Sequence, residues 1–254
     1  MGREAVEQLL LPAECVLCRA LLSFRDAARL VCDVCRHRWR PVRPPWCARC
    51  GQPEPLFGRC RLCAEWPAAF GLARSAVWLD AGARDAVHAL KYGGLPRIAT
   101  DLAALMAGLD VPGRDSGLLV PVPLSRGRFR DHGYNQSERL ARALGRRWRR
   151  PVVELLVRTR DTAAQTALTP DARLANVAGA FAMRNAECGM RNEGRPANSA
   201  FRMPHSALER PLILVDDVFT TGATLAEAAR ALEQAGAGTV SAVTFGRAVV
   251  PDFT

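Results

Sequence analysis

The sequence nearly lacks lysine: Lys91 is the single one among 35 basic residues, so the formal net charge of +10 is carried almost wholly by arginine. Such usage is partly a compositional bias, and only local clustering of arginine can carry functional meaning. Also missing is any apolar run near the roughly 20 residues that a membrane-spanning helix needs, so the expectation is no membrane insertion. The opening stretch MGREAVEQLLLPAEC sets acids and a proline around a short apolar run, without the layout of an export signal. A cytoplasmic, globular protein is expected, and 49% hydrophobic residues over 254 positions suffice for one large domain or two smaller ones.

Cysteine, by contrast, is patterned. Eight of the nine cysteines form four Cys-x-x-Cys pairs: Cys15/Cys18, Cys32/Cys35, Cys47/Cys50 and Cys60/Cys63. Each pair can place two thiolates on one tetrahedral metal, and two pairs complete a closed four-sulfur zinc site. Taken in chain order the first two pairs make one site and the last two another; an interleaved pairing satisfies the same spacing. Disulfides conflict with the missing export signal, and a redox dithiol would not come in four copies. With sulfur at every position and none open to substrate, both sites read as structural zinc. Metal binding then explains how residues 1–66, poor in aliphatic side chains, fold at all. Loss of a metal should unfold mainly this module. Trp39 and Trp46 are expected to pack against the ribbons, and Cys188, in a polar segment, is left as a free thiol.

Charge is unevenly spread. In residues 1–66 eleven arginines face seven acids, a surplus that eight thiolates on two zinc ions would cancel. Residues 120–161 hold eleven arginines against four acids, so most of the basic excess lies there, as a polyanion-binding surface requires.

The most informative stretch is LILVDDVFTTGATL, residues 212–225. Four apolar residues read as a buried strand, and LAEAARALEQAG as a helix closed by glycine, so the polar loop sits at a strand's carboxyl end. There a helix amino terminus offers N–H groups to a phosphate. The hydroxyls of Thr220, Thr221 and Thr224 supplement it, while Gly222 and Ala223 allow close backbone approach. Asp216 and Asp217 must serve something other than phosphate. At a solvent-facing strand end they would accept hydrogen bonds from ribose hydroxyls and favour positive charge developing at C1. The residues Val215-Asp216-Asp217-Val218-Phe219-Thr220-Thr221-Gly222-Ala223-Thr224 resemble the phosphoribosyl pyrophosphate motif of type I phosphoribosyltransferases.

A second strand–loop–helix follows the same plan within residues 118–148, and residues 158–181 supply Arg158, Gln165, Arg173 and Asn176 around a threonine-rich stretch suited to a mobile lid. With Leu90-Lys91-Tyr92, Pro121-Val122-Pro123-Leu124, Gly133-Tyr134-Asn135-Gln136 and Phe181, these elements make the chain resemble the ComF family, a competence-associated group, over nearly its whole length. The resemblance implies that Leu124 and Ser125, with neighbouring Arg126, Arg128 and Arg130, hold pyrophosphate, and that magnesium accompanies phosphoribosyl pyrophosphate. It also implies single-stranded DNA and proteins of the DNA-uptake machinery as partners, in natural transformation. Lys91, Tyr92, Asn135 and Gln136 read equally well as ligand contacts or as surface and packing residues.

The expected fold is a double zinc ribbon, residues 1–66, joined to an α/β domain, residues 67–254, with a parallel sheet flanked by helices of type I phosphoribosyltransferase kind. Residues 182–210, rich in Asn, Ser, Arg and Gly, read as a flexible insertion. The sequence stops at Thr254 soon after TVSAVTF, which leaves no carboxyl-terminal hood expected for an acceptor base. Two roles follow: a binding protein for DNA uptake, which the resemblance favours, or an active phosphoribosyltransferase with an unidentified acceptor.

Overall fold

The computed structural model describes residues 13–23, 26, 28–53, 60–160, 177–184 and 207–248. After a short helix α1 (Asp33–Arg38), the chain runs β1 (Phe70–Trp78), α2 (Ala81–Tyr92), α3 (Ala99–Met106), β2 (Leu118–Pro121), α4 (Arg126–His132) and α5 (Gln136–Trp148). It continues through β3 (Leu156–Arg158), β4 (Phe181–Met183), β5 (Leu212–Phe219), α6 (Ala223–Gln234) and β6 (Val240–Arg247). Four strands form a sheet in the order β1-β6-β5-β2, every pairing parallel.

Continuous apolar runs suit strands covered on both faces. In β5, Ile213 and Val215 join α2, α3 and α5 on one side, whereas Leu212 and Leu214 join α6 on the other, as strand alternation requires. Helix α5 buries Leu140, Leu144 and Trp148 on one stripe and leaves Arg139, Arg146 and Arg147 exposed. Asn135 caps its start, accepting the Ser137 N–H at 3.0 Å.

The cysteine-bearing segment occupies what would be the free edge of β1. Trp78 N–H donates to Arg40 O at 2.8 Å, Val42 N–H to Ala76 O at 3.1 Å, and Ala73 N–H to Arg49 O at 2.8 Å. An exposed parallel edge would invite pairing with another chain, and this segment removes it. Its two halves straddle the sheet. Cys15 and Cys35 pack into the cluster of α2, α3 and α5, while Cys50 and Cys63 pack into that of α6. Asp101 on α3 accepts the N–H groups of Leu30 and Val31 at 2.8 and 3.2 Å, which pins the first half. Trp39, expected to pack against the ribbons, meets Phe245 of β6 edge-on at 5.2 Å.

Strands β3 and β4 form a separate antiparallel pair, with Arg158 opposite Phe181. Residues 161–176 of the expected lid, including Gln165, Arg173 and Asn176, lie outside the described residues, as do Cys188 and residues 185–206 of the expected insertion; Ala182 and Met183 belong to β4. Among the described residues no helix is long and apolar enough to cross a membrane.

Candidate functional site

The cysteines settle the pairing that spacing left open. Cys15, Cys18, Cys32 and Cys35 form one group and Cys47, Cys50, Cys60 and Cys63 the other, each with all sulfurs within 4.8 Å. Sulfur separations are 3.9 Å for Cys15–Cys35, 3.6 Å for Cys18–Cys32, 3.7 Å for Cys47–Cys63 and 3.5 Å for Cys50–Cys60. A tetrahedron with zinc–sulfur bonds of about 2.3 Å has edges of about 3.8 Å, whereas a disulfide needs about 2.05 Å. Both groups therefore fit structural zinc. The Cys32 N–H points at Cys15 Sγ and the Cys35 N–H at Cys32 Sγ, each at 3.4 Å, as thiolate acceptors favour.

Four thiolates on a divalent ion leave a net negative charge, and arginines answer it at the second group. Arg247, fully buried at the end of β6, donates to Cys50 O at 2.6 Å and to Gln52 Oε1 at 2.8 Å. Arg49 reaches Cys63 O at 3.1 Å and Arg74 reaches Ala48 O at 2.7 Å. Burial pushes the Arg247 pKa down, and the nearby thiolates of Cys50, Cys60 and Cys47 oppose that shift.

A cavity of about 590 Å³ lies at the carboxyl ends of β5 and β2. Asp216 Oδ1 there accepts the Ser137 hydroxyl at 2.7 Å and the Asp217 N–H at 2.9 Å. Asp217 is not solvent-facing, as the sequence suggests, but 4% exposed, because the end of α2 closes over it. Its Oδ2 lies 2.7 Å from Lys91 Nζ, an ion pair made by the one lysine of the chain. Burial and the charge of Asp217 push the Asp216 pKa up to about 7, against the Ser137 bond and Lys91, which favour the carboxylate. Burial lowers the Lys91 pKa, but Asp217 and Asp216 outweigh it and the net shift is upward.

Gly222 opens α6 at φ 79°, and a Cβ there would lie 2.6 Å from Phe219 Cζ, so glycine is required. Gly222, Thr224 and Thr220 line the cavity where the helix amino end presents N–H groups, and Gly222, at the N-cap position, has no side chain to cap them. Thr221 and Ala223 do not line it. Thr221 is buried and its Oγ1 accepts the Ala223 N–H at 3.4 Å, a contact within the loop itself.

Leu124, Arg128 and Arg158 line the cavity; Ser125 instead caps α4, accepting the Arg128 N–H at 3.5 Å, and Arg126 is exposed off the lining. Lys91, Tyr92 and Gln136 line it as well. Asn135 does not, and donates to Val122 O at 3.0 Å. Sequence reasoning missed Ser137, Arg84, His88 and His132. Ser137 had one usable signal, its place in the first turn of a helix that starts at the same end of the sheet as the aspartates.

The raised pKa of Asp216 has a measurable consequence. A carboxyl held near 7 when folded and near 4 when unfolded stabilises the fold below about pH 4, and that contribution is lost as pH rises through about 7. Asp216→Asn removes the titration. Relative to wild type, the melting temperature of the variant should therefore climb between pH 5 and pH 8, and a pH-independent difference would show that Asp216 is ionised throughout.

Residues 6–65 match the double zinc ribbon domain family. The chain is 31% identical over 248 residues to the DNA utilization protein YhgH of Salmonella typhimurium, covering 91% of this chain and 96% of that protein. It is 30% identical over 251 residues, with the same coverage, to the protein of that name in Escherichia coli O157:H7. To the competence protein ComFC of Bacillus subtilis it is 28% identical over 237 residues, 89% of this chain and 87% of that one.

Proposed function

The chain belongs to the ComF family, and on that premise we propose that it acts in DNA uptake, with a cavity that binds phosphoribosyl pyrophosphate together with magnesium. The names of its relatives, DNA utilization and competence proteins, support the process. One observation carries the ligand: Asp216 and Asp217, held by Ser137 and Lys91, share a cavity with the amino end of α6.

In this reading the 5-phosphate sits at Thr220, Gly222 and Thr224, where N–H groups and hydroxyls donate and the helix dipole favours an anion. Ribose hydroxyls donate to the two carboxylates, which cannot serve phosphate because like charges repel. The loop carrying Leu124 and Arg128 receives pyrophosphate, with Ser125 fixing its turn into α4. Magnesium arrives with the diphosphate as part of the ligand and neutralises its charge. Release of pyrophosphate as C1 passes to water or to an added nucleophile would extend the reading to catalysis, with the carboxylates stabilising positive charge at C1.

Single-stranded DNA is the second ligand of this reading. Arg142, Arg146, Arg149 and Arg150 line a shallow groove of about 410 Å³ at the carboxyl end of α5, the helix whose amino end brings Gln136 and Ser137 to the cavity. Arginine–phosphate contacts of this kind are indifferent to sequence and weaken steeply with salt. Proteins of the uptake machinery complete the expected partners.

The decisive test compares two ligands. At pH 8, where Asp216 is ionised, Asp216→Asn combined with Asp217→Asn removes two charged acceptors, each worth about 1.5 kcal/mol, so phosphoribosyl pyrophosphate should bind about 100-fold more weakly. Inorganic phosphate, which meets only the threonine loop, should bind as before. Equal losses for both, by calorimetry, would refute the division of the cavity into ribose and phosphate halves. Asparagine is preferred to alanine because truncation of Asp217 would strand the Lys91 ammonium.

A further inference from the structure

We infer that Tyr92, with His88 and His132, forms a stacking platform for a planar heteroaromatic ring of nucleobase type on the wall of the same cavity. Tyr92 ends α2 directly after Lys91, whose ammonium reaches Asp217, and it lines the same cavity as the two carboxylates. It is 62% exposed, one of the few large apolar side chains so exposed among the described residues. His88, one turn earlier, has its ring centre 4.9 Å away at 45°, and His132, the last residue of α4, lies 4.8 Å away at 76°. The neighbours brace the tyrosine and leave most of its surface open.

Two further features make this a built site. The Tyr134 hydroxyl donates to Leu90 O, tying the end of α2 to the turn after α4, so the platform is held between two helices. Along the same cavity, Gln136 is 5% exposed and its Oε1 has no hydrogen-bond partner among the described residues; neither does His132 Nδ1. Unpartnered buried polar atoms beside an open aromatic surface suit a ring with polar edges better than an aliphatic ligand. Arg84 and Arg128 on the lining favour a ligand that also carries phosphate.

The inference rests on the ribose-phosphate reading for its orientation, and the test separates the two. Full-length, zinc-loaded protein is titrated with ribose 5-phosphate, with adenosine 5′-monophosphate, and with a thymidine oligonucleotide and its abasic counterpart. Base stacking contributes about 1–3 kcal/mol, so Tyr92→Ala should weaken a ring-bearing ligand about tenfold while Tyr92→Phe keeps wild-type affinity. Ribose 5-phosphate and the abasic strand should not respond. A loss confined to the mononucleotide identifies a free nucleotide as the ring's source, and a loss confined to the thymidine strand identifies DNA; either supports the platform. If ribose 5-phosphate fails to bind wild type but the Tyr92 effect persists, the ribose-phosphate reading falls and the platform stands. Unchanged affinity of Tyr92→Ala for both ring-bearing ligands overturns the platform.

Discussion

Replacing Cys47 by serine is expected to reduce bound zinc from two ions per chain to one and to lower the melting temperature of the whole protein by roughly 10 °C or more. A closed four-thiolate site loses most of its affinity when one ligand becomes a hydroxyl, and structural zinc contributes folding free energy directly. Damage should not stay in the amino-terminal module, as sequence alone suggests. The backbone of this group is bonded to the sheet: Arg49 O accepts the Ala73 N–H, and Cys50 O accepts Arg247. Loosening it uncovers the edge of β1, so the variant should also aggregate more readily. Metal analysis showing two zinc ions in Cys47→Ser, or an unchanged melting curve, would refute this account.

Arg247→Ala is expected to destabilise the fold by about 3–5 kcal/mol, through two lost charge-assisted hydrogen bonds and the space left by a fully buried side chain. The guanidinium is also 4.2 Å from the centre of the Phe219 ring, and that ring lies directly beneath Gly222 at the amino end of α6. Its removal should therefore act in two directions. Zinc should pass to a chelator faster from the group containing Cys50, and phosphoribosyl pyrophosphate should bind more weakly although no contacting residue has changed. Arg247→Lys keeps the charge but not the two-pronged bond to Cys50 O and Gln52, so partial rescue is expected. Wild-type melting of Arg247→Ala, measured by calorimetry, would show that the buried guanidinium contributes nothing net.

Much of this protein was decided by short-range pattern. A metal site needs only paired thiolates at close spacing, so the four Cys-x-x-Cys pairs announce two structural zinc sites, and the structure groups their sulfurs accordingly. The strand, loop and helix of residues 212–225 could also be read directly, because burial of a parallel strand and the opening of a helix leave local signatures. Even the requirement for Gly222 follows from its neighbourhood, since the obstructing ring is that of Phe219, three positions earlier.

What the tertiary structure alone decided is which distant groups meet. Consecutive pairing of the cysteines, rather than an interleaved one, depends on how each half of the module lies against its own face of the sheet. Lys91 reaches Asp217 and Ser137 reaches Asp216 because α2 and α5 pack over the ends of β5, and no spacing along the chain encodes that approach. Thr221 and Ser125 carry the residue types of phosphate ligands, and the fold sets their oxygens to accept the N–H groups of Ala223 and Arg128 within their own loops. Local pattern fixes chemistry wherever partners lie within a few residues. The charge state of Asp216, the burial of Asp217 and the placing of Tyr92 between His88 and His132 depend on packing, and packing exists only once the chain has folded.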